Sequence, residues 1–208
     1  MILITGDDPI LDGLCDALEQ RGHAHTRAAA LDASEAWTLR PEAIVVVESL
    51  PRVATATSPP ERALAELVSA ANAPGVRRAV IVTPRPDDDP ALRAVRRSGI
   101  PYTILRPRPI AEQRGETSTR VLLDRALASA PAVAVTVDMV IEAVIAVLDG
   151  EACGQTRDIA PPPEMTWSEL LARAGATPKA VPRWRARVGR WFGARTLDVS
   201  VPQPAAPA

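Results

Sequence analysis

The chain has 208 residues, 47% of them hydrophobic and 24% charged, which suits one ordinary buried core and excludes a disordered chain. Lys and Arg number 24 against 25 Asp and Glu, a formal net charge of -1, which excludes the basic excess of a generic nucleic-acid binder. The basic residues are 23 arginines and a single lysine, Lys179, and Tyr102 is the single tyrosine. A mechanism that needs a Lys or a Tyr therefore has one candidate for each. Cys15 and Cys153 are too few for a disulfide scaffold or a structural zinc site and read as thiols in a reducing cytoplasm. The most apolar stretch, 132–148, is broken by Asp138 and Glu142, and the opening MILIT lacks a basic leader. The expectation is a cytoplasmic protein without a membrane partner.

In chain order, 1–5 (MILIT) is a short apolar strand ending at Gly6. Residues 10–21 place Ile10, Leu11, Leu14, Cys15 and Leu18 on one helical face, closed by Gly22. Residues 23–30 form a polar second strand, and Asp32 with Glu35 has capping-box spacing ahead of a helix through Leu39. Residues 43–47 (AIVVV) are β-branched on both faces, as a central strand requires. Ser58-Pro59-Pro60-Glu61 starts a helix that stops before Pro74-Gly75. Residues 78–83 form the next strand, Asp89-Pro90 opens a helix ending at Ser98-Gly99, and 101–106 is a strand cut off by Pro107 and Pro109. Helices follow at 118–129 and 138–149, the second capped by Asp138, then a strand at 155–160 and a helix capped by Thr166 and Glu169. Residues 182–193 read as a short basic helix with an aromatic stripe (Trp184, Trp191, Phe192), and 202–208 as a disordered tail. Alternating strands and helices with continuous apolar strands predict a doubly wound α/β sheet whose ligand lies beyond the carboxyl ends of the strands.

Several segments resemble the atypical short-chain dehydrogenase/reductase superfamily, the branch of NmrA-like and NAD(P)H-binding Rossmann proteins. They are ITGDDPILDGLCDALEQRGH, APGVRRAVIVT, LRAVRRSGIPYTILRP, VAVTVDMVIEAVIAVLDG and EMTWSELLARAG. The resemblance implies a mostly parallel Rossmann-like domain over 1–175, followed by a basic aromatic extension at 176–201. Only one short helix fits between the polar second strand and AIVVV. The usual third strand has no room, so the second strand should lie at a sheet edge, where polar residues belong.

The departures fall on functional positions. The family turn uses three glycines for a tight bend, close approach of pyrophosphate and helix packing. This chain keeps Gly6 but has Pro9 and Asp12 at the other two positions, with Asp7 and Asp8 beside them. Pro9 removes an N–H that could face phosphate. One carboxylate about 6 Å from a pyrophosphate costs about 2–3 kcal/mol at an effective dielectric near 20. No cofactor is expected. If NADP(H) or NAD(H) binds, Gly6, Asp8, Pro9 and Arg27 are the contacts the resemblance implies. The family's catalytic Tyr and Lys, counted back from Ser98-Gly99, fall on Pro84 and Asp88.

Polar residues at the carboxyl ends of the strands are the remaining candidates for chemistry. Glu48 follows AIVVV and suits a general acid or base. Thr83 can hydrogen-bond a carbonyl, and Arg106 and Arg108 can hold an anionic group. Tyr102 has a four-residue spacing to Arg106. His23 and His25 alone make no metal site. Three readings stay open. The first is a non-redox acid–base enzyme (a cyclase, isomerase or dehydratase) acting on a small organic molecule, with bacterial natural-product biosynthesis as its setting. The others are an NAD(P)H-dependent reductase and a non-catalytic sensor or scaffold, with 182–193 available for a protein partner or self-association.

Overall fold

The computed structural model describes residues 1–6, 8–28, 38–52, 67, 70, 75–111, 120–150 and 154–182. These divide between two compact units, Met1–Ile110 with Val133–Pro161, and Ala111–Ala132 with Pro162 onward. The stretch expected as one domain, 1–175, is thus shared between them.

The first unit is a six-stranded sheet: β1 (Ile2–Gly6), β2 (His25–Ala28), β3 (Ala43–Val47), β4 (Arg78–Val82), β5 (Tyr102–Pro107) and β7 (Gln155–Ile159). Its order is β2-β1-β3-β4-β5-β7, and every pairing is parallel. This is a Rossmann-like α/β sheet with β2 at one edge beside β1, and β3 on the other side of β1. The polarity of β2 follows from that edge: Arg27 is exposed and only Ala28 is buried. All five residues of β3 are buried. Alternation sends Val45 and Val47 to one core, and Ile44 and Val46 to the other.

Two helices serve the first core, α1 (Ile10–Gln20) and α4 (Val137–Leu148), with Leu11, Leu14, Leu18, Val140 and Val144 fully buried. Each such side chain contributes about 1.5–3 kcal/mol over its exposed state. The second core takes Leu92 and Val95 of α2 (Pro90–Arg97), together with Leu67 and Ala70. Asp89 caps α2 by accepting from Ala91 N, with Pro90 at the first position, as its sequence predicts. Thr136, and not Asp138, caps α4, its hydroxyl accepting from Met139 N. The capping box at Thr166 and Glu169 is present, starting α5 (Trp167–Arg173).

The second unit departs from the sequence reading. Residues 118–129 do not form one helix. Arg120–Asp124 is a strand, β6, followed by a single helical turn, α3 (Arg125–Ala128), capped by Asp124. Val121 and Leu123 are buried with half-exposed Leu122 between them, a period of two that a run of three apolar residues conceals. Its parallel partner is a strand at Thr177–Val181, β8, within the stretch read as a helical extension. The helices expected at 32–39 and after Ser58 fall largely outside the described residues. The basic helix at 182–193, the tail, Asp7 and Cys153 fall outside them too, apart from Pro182. Among the described residues no helix is long and apolar enough to cross a membrane.

Candidate functional site

The carboxyl ends of β1, β3 and β4 carry two arginine–carboxylate pairs. The first begins with the β1 exit. Gly6 has φ +144°, and a Cβ there would sit 1.9 Å from the Val47 carbonyl oxygen, so only glycine lets β1 run this close to β3. Two residues on, Asp8 is 2% exposed. Its Oδ1 accepts the Ile10 N–H at 3.0 Å, in the first turn of α1, and its Oδ2 accepts the Leu50 N–H at 2.8 Å. Arg52 closes on the same carboxylate with both terminal nitrogens, at 2.8 and 3.0 Å. One carboxylate therefore holds four donors, two of them in a bidentate guanidinium fork.

The second pair is built on the strand ends. Glu48 extends β3 through its N–H to Val82 O at 3.0 Å, and it is fully buried. Arg85 Nε lies 3.0 and 2.8 Å from the two Glu48 oxygens. The Thr83 hydroxyl donates to Glu48 Oε2 at 2.5 Å and accepts from Arg85 N at 3.1 Å. Arg85 also reaches Asp89 Oδ2 at 3.1 Å, tying the cluster to the cap of α2. The hydrogen bond that Arg85 donates to Glu48 raises the Arg85 pKa above its ordinary value against the opposing effect of burial. Burial pushes the Asp89 carboxyl up, but Arg85 and the Ala91 N–H outweigh it and hold that carboxyl below its ordinary range.

Glu48 and Thr83 are thus brought together, and Arg106 is not part of their hydrogen-bonded cluster. The β4–β5 register sets Arg106 one strand from Thr83, since Val82 pairs with Leu105. Its guanidinium binds Asp158 and Asp87, each at 3.0 Å. Arg96, hydrogen-bonded to Asp87, and Arg106 beside it hold that carboxyl below its ordinary range. Arg108 is exposed at the end of β5. Tyr102 stands at the other end of β5, half-buried against the second core and away from the carboxyl edge. The four-residue spacing to Arg106 therefore spans the strand and builds no proton relay. Pro9 precedes α1 and contributes no donor. Asp12 pairs with Arg27, so two residues that the sequence set in opposition and in support of phosphate neutralise each other.

His23 Nε2 binds Asp149, and His25 binds the His23 carbonyl. Among the described residues no cluster of three metal-ligating side chains occurs. Burial raises the Cys15 thiol pKa, which Arg27 opposes and Asp12 and Asp16 reinforce. Arg52, Arg85 and Asp89 were absent from the candidates read in the sequence. The available signal was an arginine two to four residues past a strand-terminal acid or threonine.

No protein-family model and no curated protein matches the sequence. Solved structures do match. The UDP-N-acetylglucosamine 4-epimerase of Bacillus cereus superposes with a TM-score of 0.53 at 10% identity, over 96% of this chain and 90% of that one. RMD of Pseudomonas aeruginosa, solved with NADPH, gives 0.53 at 14% identity over 94% of both chains. The triphenylmethane reductase of Citrobacter sp., solved with NADP(H), gives 0.50 at 14% identity over 93% of this chain and 84% of that one. The chain has the Rossmann-like α/β fold of these epimerase and reductase structures. Within that fold the first turn and the ends of the next strands form the edge where ligands bind, and the Asp8–Arg52 and Glu48–Arg85 pairs lie there.

Proposed function

We propose that this protein is a nicotinamide-independent member of the fold that binds a small, non-nucleotide organic molecule at the carboxyl edge of its sheet. The observation that carries the reading is the two ion pairs built on buried carboxylates, Asp8–Arg52 and Glu48–Arg85. A dinucleotide pyrophosphate is held at the N-terminus of the first helix by free N–H groups and a positive end. Here the Ile10 N–H already donates to Asp8, and Pro9 has no N–H to offer. The residues present do not fit the group. Hydride chemistry also lacks its proton donor, since the family's Tyr and Lys positions hold Pro84 and Asp88.

Acid–base turnover by Glu48 is the weaker reading. A base must reach the proton it takes, and this carboxylate is sealed from solvent with Thr83 and both ends of its charge committed to Arg85. Glu48 is better read as a positioning residue that fixes Arg85. Calorimetric titration of the full chain with NADPH and NADH at low salt tests the proposal, because any electrostatic attraction is strongest there. The expected dissociation constants are millimolar or weaker. Micromolar binding of either cofactor would return the protein to the reductases.

A further inference from the structure

We infer that Asp8 is a built-in anion that takes the place of a ligand phosphate at the β1–α1 turn, so that the molecule bound at this edge presents no phosphate there. The inference rests on the nicotinamide-independent reading and names the ligand class that reading leaves open. The Arg52 fork, the Ile10 N–H and the Leu50 N–H are the donor types that bind a phosphate: a planar guanidinium, a helix N-terminal amide and a loop amide. All four contacts end on one carboxylate that is 2% exposed. A second anion arriving there would have to displace Asp8, because the Arg52 fork and both amides are already committed to its carboxylate. Asp8 is contributed by the turn itself, so the block needs no conformational change.

Removing the carboxylate should convert the exclusion into an acceptance. The test compares the wild-type chain, Asp8→Ala, Asp8→Gly and the double variant Asp8→Ala/Arg52→Met by thermal denaturation. Inorganic phosphate is titrated against sodium chloride at matched ionic strength. The wild-type Tm should respond to phosphate no more than to chloride. The single variants should start lower and regain stability saturably with phosphate, and the double variant should lose that response. If a single variant is unfolded as purified, recovery of its far-ultraviolet circular dichroism in phosphate but not in chloride supports the inference. Failure in both salts overturns it, as does an equal phosphate response in the double variant. Tight binding of NADPH by the wild-type chain would instead overturn the nicotinamide-independent reading. A wild-type chain that ignores NADPH, with single variants that ignore phosphate, sinks only the role given to Asp8.

Discussion

The two edges of the same sheet use the same charges to different ends. At the amino edge Asp149 pairs with Arg21 and His23, and the terminal ammonium faces Glu42, with side chains between 30% and 69% exposed. At the carboxyl edge the exposed Arg27–Asp12 and Arg106 pairs lie beside a second set, Asp8, Arg52, Glu48 and Arg85, whose side chains are between 0% and 12% exposed. Exposed pairs are screened and are worth little. Buried pairs must overcome desolvation, and removing one partner strands a charge in a poor solvent. Burying charge is a poor way to gain stability, so its concentration at the ligand edge calls for another reason. Our account is that the pairs fill and fix the turn where the fold would otherwise take a nucleotide.

The largest expected effect comes from the residue that permits this packing. Gly6→Ala must push β1 away from the Val47 carbonyl and adopt a backbone conformation that alanine avoids. A loss of about 4 kcal/mol or more is expected in urea denaturation. Arg85→Ala strands Glu48 and should cost about 3–5 kcal/mol, or roughly 10 °C in Tm. The double variant Glu48→Leu/Arg85→Met should recover most of that, which distinguishes a stranded charge from lost packing. Thr83→Val keeps the shape but removes both the hydrogen bond to the Glu48 carboxylate and the one accepted from Arg85 N, a loss of at least about 1.5–3 kcal/mol. Because the Asp89 carboxyl is depressed in the folded state, its contribution is present above its unfolded pKa and is lost as pH falls through the folded value. Asp89→Asn should therefore flatten the stability profile below about pH 4 and leave its shape near pH 7 unchanged. The smallest effect tests the contrast itself. Arg21→Ala at the amino edge should move Tm by no more than about 2 °C, and a loss comparable to that of Arg85→Ala would erase the distinction between the edges.

How far the sequence could be read follows from what each residue depends on. AIVVV and its neighbouring strands are legible because continuous β-branched runs have few other uses in a short segment. The edge position of β2 is legible from its polarity and from the missing room for a third strand. β6 and β8 are not: RVLLD suits a strand or a helix, and TPKAV buries only Val181 and contains a proline. Their pairing is tertiary. Glu48 and Thr83 are legible because they end strands. Their partner is not, since any of 23 arginines could have filled that role and the choice is made by register and loop geometry. Asp8 was legible as an obstacle to phosphate. The way it is neutralised was not, because Arg52 lies 44 residues away in the chain.

The central claim is that the N–H groups of Ile10 and Leu50 belong to Asp8 and are not offered to a nucleotide. Residue-resolved amide spectra of the isotope-labelled chain, recorded while NADPH is added to millimolar concentration at low salt, test it at those two groups. The account predicts that both resonances stay in place and that their amide protons exchange slowly with solvent throughout. A saturable shift of Ile10 and Leu50 at micromolar NADPH would contradict it.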